Sequence, residues 1–340
     1  MVYGAVHSMM TLAQAQREQG DDVQFATFKG KPFVEDLHKL GWQNTPFKVR
    51  TKVDLIAASQ MAKHFKREKI DIVHTHLSTS SINGCLAARM AKIPCVATVH
   101  GMSGKLSFVF ADHMIGVSQG VRQHLISQGI KPDRVTAVYN GVDVPSGLPT
   151  KLESRQQFNL PEDAFIFGTV SRLTPLKGID HALRAFAEIH PQVPNSIYVL
   201  VGDGDGQREY QELALSLGIR DQVKFLGYQA KVFEPLAAMD LFLFPSLKEA
   251  MGISVVEALA VGLPVVSTNV GGLPEVITSD VGSLVPPNDH HRMAQEAVAI
   301  ATGNLQALST KAKARAEEMF SVSSMEQNTK AVYNRLLKLK

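Results

Sequence analysis

Strand-length apolar runs alternate with helix-length amphipathic segments almost from one end of this chain to the other, and that alternation restricts its fold more than any other feature. In the first half the runs are Val23–Phe28, Ile70–His74, Cys95–Val99, His113–Val117 and Val135–Tyr139. Met9–Gln19, Leu55–Lys69, Ser80–Ala91 and Gly120–Gln128 read as the helices between them, several closing on a glycine. Strand, helix and strand in repeated order predicts an α/β fold with parallel sheets wound by helices.

From Asn140 to Pro149 turn formers and prolines displace the periodic hydrophobics, which predicts a domain boundary. The pattern then restarts, with strands expected at Phe165–Ser171, Ile197–Val201, Val223–Phe225, Leu241–Pro245, Pro264–Ser267 and Gly282–Val285. Residues 1–145 and 150–320 are thus expected to be two doubly wound domains. A closing stretch, 321–340, should carry one more amphipathic helix, Ser323–Leu339, packing back on the first domain. A chain of 340 residues, 45% hydrophobic, can fill two such cores.

Composition narrows the function classes. The longest apolar stretches, such as Ile197–Val201 and Leu241–Phe244, fall far short of the ~20 residues that span a bilayer. No basic segment with an apolar core and a small-residue cleavage site opens the chain, so a cytoplasmic location is expected. Cys85 and Cys95 lack the clustering of a zinc site and are read as buried thiols. Residues 1–149 carry 17 Lys and Arg against 11 Asp and Glu, whereas 150–340 carry 18 against 21. The basic half, densest at Lys63, Lys66, Arg67 and Lys69, suits an anionic membrane surface or an acidic acceptor, with a solvated face as the bland alternative and no nucleic-acid partner expected.

The most informative stretch runs from Phe242 to Ile277. Pro245-Ser246-Leu247-Lys248-Glu249 ends a buried strand, and a helix begins near Gly252, Ile253 and Ser254, whose free N–H groups make an anion site able to take a pyrophosphate. Glu257, one turn later, could accept hydrogen bonds from ribose hydroxyls, and Glu249 lies in the loop within reach of a second sugar. By itself such a carboxylate pair is weak, since surface glutamates at that spacing are common.

These residues, followed by Ala260-Val261-Gly262-Leu263-Pro264-Val265-Val266 and Val270-Gly271-Gly272-Leu273-Pro274-Glu275-Val276-Ile277, resemble the donor site of glycosyltransferase family 4. The resemblance implies two Rossmann-like domains facing across a cleft, the GT-B architecture, with Glu257 binding the donor ribose and Glu249 the transferred sugar. Ala250 and Met251 depart from the family's usual glycine and aromatic residue.

A second constellation, Gly168 to Gly178, places Arg172 and Lys177 at the carboxyl end of a buried strand, where two fixed cations would stabilise charge growing on a departing nucleoside diphosphate. The spacing resembles the family's donor-phosphate pair; without that resemblance, solvated surface cations would be the ordinary reading. His74, His76 and His100 also end strands. The first two are read as hydrogen-bonding edge residues, while the resemblance implies that His100 contacts the transferred sugar. Gly202-Asp203-Gly204-Asp205-Gly206 lacks the spacing of a dinucleotide loop; the resemblance implies a turn near the donor base with Asp203 on the donor and no metal required, an Asp-x-Asp metal site being the lesser alternative.

The function that the resemblance implies is retaining, metal-independent and cofactor-free transfer from a nucleoside diphosphate sugar to a glycan or glycolipid, with bacterial surface polysaccharide or lipopolysaccharide synthesis the expected setting. Two rivals stay open, a nucleotide-sugar isomerase of the same architecture and an inactive sugar-nucleotide-binding protein. Finally, Met1 to Ser8 resembles the glycine-bearing loop that follows the family's first strand. Gly4 is accordingly expected in a loop touching the donor, the first strand is expected to be missing, and a start about ten residues upstream is expected.

Overall fold

Valine, isoleucine and phenylalanine concentrate in short runs flanked by turn residues, and each run becomes a strand of a parallel sheet. The computed structural model describes residues 4–31 and 33–338, and the chain divides into two units, Met1–Gly141 with Val322–Lys340 and Val142–Ser321.

The first unit opens with helix α1 (Gly4–Glu18) and continues through β1 (Phe25–Phe28), α2 (Phe33–Lys39), β2 (Asn44–Phe47), α3 (Leu55–Arg67), β3 (Val73–His76), α4 (Ser78–Ala91), β4 (Cys95–Val99), β5 (His113–Gly116), α5 (Gln119–Ser127) and β6 (Val135–Ala137). Its strands fall into two parallel pieces, β1-β2 and β3-β4-β5-β6, so among the described residues β1 and β3 each pair on one side only. No strand precedes α1 among them. Gly4 is the first residue of α1 and not part of a loop, because Ala5, Met9, Met10, Leu12 and Ala13 are helix formers that extend the helix back to it; residues 1–3 lie outside the described ones. Cys85 and Cys95 are free and buried.

In the second unit come α6 (Lys151–Gln157), β7 (Phe165–Val170), α7 (Ile179–Ile189), β8 (Ser196–Val201), α8 (Gln207–Ser216), β9 (Val223–Gly227), α9 (Phe233–Ala237), β10 (Leu241–Phe244), α10 (Ile253–Ala260), β11 (Val265–Thr268), α11 (Leu273–Val276), β12 (Gly282–Val285), α12 (His290–Ala301) and α13 (Leu305–Phe320). The six strands form one parallel sheet in the order β12-β11-β10-β7-β8-β9. Phe167, Tyr198, Leu241, Leu243 and Val266 on the strands pack against Leu183, Phe186, Met293 and Ala297 on α7 and α12. Fully burying a side chain of this size stabilises by roughly 1.5–3 kcal/mol.

Helix α14 (Val322–Lys338) returns to the first unit, where Met325 and Val332 join Leu12, Val96, Ile115 and Val138 in one buried cluster. Both units are Rossmann-like. Among the described residues no helix is long and apolar enough to cross a membrane.

Candidate active site

In the second unit the strand order reverses at β7: β8 and β9 lie to one side of it, β10, β11 and β12 to the other. Loops leaving β7 and β10 must diverge there, and the crevice they leave at the carboxyl ends of the strands is where open α/β sheets bind ligands. The two loops touch through their backbones. Leu247 N–H donates to Leu176 O at 2.9 Å. Gly178, at φ +63°, approaches so closely that a Cβ would stand 2.2 Å from Pro245 O, which is why no larger residue serves there.

Across this reversal Lys177 Nζ meets Glu249 Oε2 at 2.5 Å. Both side chains are mostly buried, and Lys177 Nζ also stands 5.3 Å from the centre of the Phe244 ring. The other oxygen of Glu249 accepts from Ala250 N–H at 3.0 Å. Arg172, five residues before Lys177, is exposed, and among the described residues its side chain makes no hydrogen bond or ion pair. The arrangement holds one cation shared with a carboxylate and offers a second to an incoming anion.

Gly252, at φ +88°, starts α10, and no side chain caps that end. The N–H groups of the first turn have no acceptor within their own helix, so Gly252, Ile253 and Ser254 present partial positive charge. Glu257, one turn on, is 8% exposed. Burial pushes its carboxyl up to about 7, and among the described residues no hydrogen bond reaches it. A buried carboxyl without donors is costly unless a ligand supplies them. Met251 is 1% exposed, so this departure from the family pattern is absorbed into the interior.

The loop after β8 lies against the loop after β7. Gly202, at φ +128°, would place a Cβ 1.9 Å from Ser171 O, and Asp203 O accepts from Leu173 N–H at 2.8 Å. The glycine-rich turn therefore buttresses the backbone on both sides of Arg172, and Asp203 contributes its carbonyl to that contact. Among the described residues the one group of side chains with metal-ligand spacing is Glu188, His290 and His291, which includes neither Asp203 nor Asp205.

In the first unit β3 and β4 bring three histidines together. His74 bonds Tyr333 Oη at 2.5 Å and Thr98 Oγ1 at 2.7 Å, and His76 Nδ1 bonds His100 Nε2 at 2.9 Å. Burial holds the His100 imidazole down at about 4 and that of His74 at about 3, and His76 is also well below the ordinary range. All three are neutral at pH 7. One of His76 and His100 donates to the other, which fixes the tautomers of the pair together.

Residues 150–318 match the family model described as glycosyl transferases group 1, and residues 2–145 the one described as Glycosyltransferase Family 4. An N-acetyl-alpha-D-glucosaminyl L-malate synthase of Bacillus anthracis is 31% identical over 317 residues, covering 84% of this chain and 81% of that protein. The chain belongs to glycosyltransferase family 4. A second relative of this glycosyltransferase is an Escherichia coli UDP-Gal:alpha-D-GlcNAc-diphosphoundecaprenol alpha-1,3-galactosyltransferase, 30% identical over 69% of this chain and 67% of that one. Among solved structures, a glycosyltransferase from Rickettsia africae superposes with a TM-score of 0.88 at 22% identity, covering 100% of this chain and 97% of that one. Anabaena HepE in complex with UDP and glucose superposes with a TM-score of 0.83 at 23% identity, covering 98% and 97%. The family fold is of the GT-B type, with two Rossmann-like domains.

Sequence reasoning missed Phe244 beneath Lys177. It carries no local signal, because it meets the lysine only through the adjacency of β7 and β10.

Proposed function

We propose that this glycosyltransferase moves a sugar, with retention of configuration and without a metal, from a nucleoside diphosphate sugar to a glycan or glycolipid acceptor. The observation that carries the reading is the Lys177–Glu249 pair at the strand-order reversal, set beside the uncapped start of α10. In this reading Arg172, Lys177 and the N–H groups of Gly252, Ile253 and Ser254 hold the donor phosphates, and Glu257 receives the ribose hydroxyls. Glu249 orients the transferred sugar, the Asp203 turn borders the base, and His100 donates a hydrogen bond to the sugar as a neutral imidazole.

As the acceptor oxygen bonds to the anomeric carbon, the bond from that carbon to the phosphate oxygen breaks on the same face. The acceptor's proton passes to the departing phosphate oxygen, so no protein base is required. Charge grows on the phosphates during this step, and fixed cations and amides lower its cost without reorganising. No bound cofactor takes part.

The Escherichia coli relative is named for a diphosphoundecaprenol-linked acceptor, an Arabidopsis relative for phosphatidylinositol, and HepE was solved with UDP and glucose. These favour a uridine diphosphate sugar and a lipid-linked acceptor of surface polysaccharide or lipopolysaccharide synthesis, handled from the cytoplasmic side of the membrane. The test is a panel of nucleotide sugars with and without a lipid-linked glycan. Free nucleoside diphosphate together with a glycoside of the donor's anomeric configuration is expected. An epimerised donor formed without acceptor, or no turnover of any donor, would overturn the proposal.

A further inference from the structure

Between β2 and α3 the chain builds a small apolar tip on the surface of the first unit. Val53, Leu55 and Ile56 are 51%, 65% and 62% exposed, a costly display unless something covers it. The tip is not a loose loop. Asp54 caps α3, accepting from Ala57 N–H and Arg50 N–H, each at 2.9 Å. Its own N–H donates to Oδ1 of the fully buried Asn83 at 2.8 Å, and Asn83 Nδ2 donates back to Lys52 O at 3.0 Å. Thr51 Oγ1 donates to Val53 O at 2.6 Å.

Much of the tip's backbone is thus satisfied from inside the protein. That is the condition for placing polypeptide in a low-dielectric interface, where an unpaired N–H or C=O is expensive. The inner face of α3, through Ala57, Ala58, Met61, Ala62 and Phe65, is buried in the unit, which leaves Leu55 and Ile56 facing outward.

Charge indicates what covers the tip. Residues 48–69 contain seven Lys and Arg against Asp54 and Glu68. Asp54 is engaged as the cap and Glu68 pairs with Arg67 at 2.8 Å. Lys48, Arg50 and Lys52 are exposed beside the apolar tip. An apolar point preceded in the chain by three exposed cations matches the headgroup and acyl layers of an anionic bilayer, each cation adding attraction. A nucleic acid would use the cations but leave the tip in water.

We infer that the β2–α3 tip, Val53, Leu55 and Ile56 with Lys48, Arg50 and Lys52, docks this protein on an anionic lipid bilayer. The docking serves the glycolipid reading above, but its test uses neither donor nor acceptor, so the two fail separately. Full-length protein is sedimented with vesicles of phosphatidylcholine alone or with about 30% phosphatidylglycerol, at low and high salt. Binding is expected only to the anionic vesicles and to weaken with salt. Leu55→Ser with Ile56→Ser, and separately Lys48→Ser with Arg50→Ser and Lys52→Ser, should each weaken it by about 10-fold or more, with unchanged melting temperature because all five side chains are exposed. Leu55→Trp should show a blue-shifted emission on binding. Leu215→Ser, 68% exposed in the second unit, should change nothing. Equal binding to neutral vesicles, binding untouched by both sets of variants, or retention of the cationic face by duplex DNA but not by vesicles would each overturn the inference.

Discussion

Replacing Glu257 by glutamine should make the unliganded enzyme's stability less dependent on pH while crippling donor binding. Burial raises this carboxyl from its ordinary 4.5 to about 7. The unfolded chain therefore releases the proton near pH 4.5 and the folded chain near pH 7. Between those values the native state binds more protons than the unfolded one, so stability falls as pH rises. Below pH 4.5 the contribution is fully present; above pH 7 it is gone. At ~1.4 kcal/mol for each tenfold change in proton affinity, the whole interval is worth up to about 3 kcal/mol. Glutamine carries its own desolvation cost, but that cost is the same at every pH, and other titrating groups cancel between the two proteins. Urea unfolding of both from pH 4 to pH 8 should show the variant gaining about 3 kcal/mol on the wild type across that range. Calorimetry at pH 7 should show it binding nucleoside diphosphate about 10- to 100-fold more weakly, the scale of a hydrogen bond to a charged group. Parallel stability curves would refute the buried-carboxyl argument, and equal affinity would refute the ribose contact.

Arg172→Ala and Lys177→Ala should each lower kcat by roughly 10²-fold at saturating donor, with little change in melting temperature for the exposed Arg172; near-normal turnover would remove the phosphate role from that residue. Activity should survive exhaustive chelation, since the cations and the start of α10 supply the positive field; loss with EDTA and recovery with Mn²⁺ would assign Asp203 and Asp205 to a metal. Gly202→Ala should destabilise the second unit by at least about 1–3 kcal/mol, the usual cost of backbone strain, because its Cβ would strike Ser171 O at φ +128°. Thermal unfolding reads that loss, and an unchanged midpoint would mean the turn does not bear on the Arg172 loop.

The parallel, helix-wound sheets were legible because fully buried strands such as β8, Ser196–Val201, read as unbroken apolar runs. β2, Asn44–Phe47, was not: only Phe47 of its four residues is buried, and Pro46 argues against a strand on sequence alone. α2, seven residues with Leu37 alone buried, shows too little periodicity to be seen. Gly4 was placed in a loop because Met1 to Ser8 resembles the family's glycine-bearing loop, whereas the run of helix formers after it decided the local structure. At the site, the resemblance of the surrounding motifs to the family pointed to Arg172, Lys177, Glu249 and Glu257, which residue types and spacing alone would not have singled out, but the ion pair between residues 72 positions apart follows from strand order. The raised Glu257 carboxyl follows from packing, which spacing does not encode.

The return of α14 to the first unit bears on the order in which the chain can assemble during synthesis. Residues 142–321 form an unbroken stretch whose contacts can close as soon as they emerge. The buried cluster of Leu12, Val96, Ile115 and Val138 is different, because Met325 and Val332 complete it. His74 likewise waits for Tyr333, and Asp21 for Lys330. The part made first is thus finished last: on the ribosome the N-terminal residues must stay soluble with an incomplete core while the second unit folds behind them.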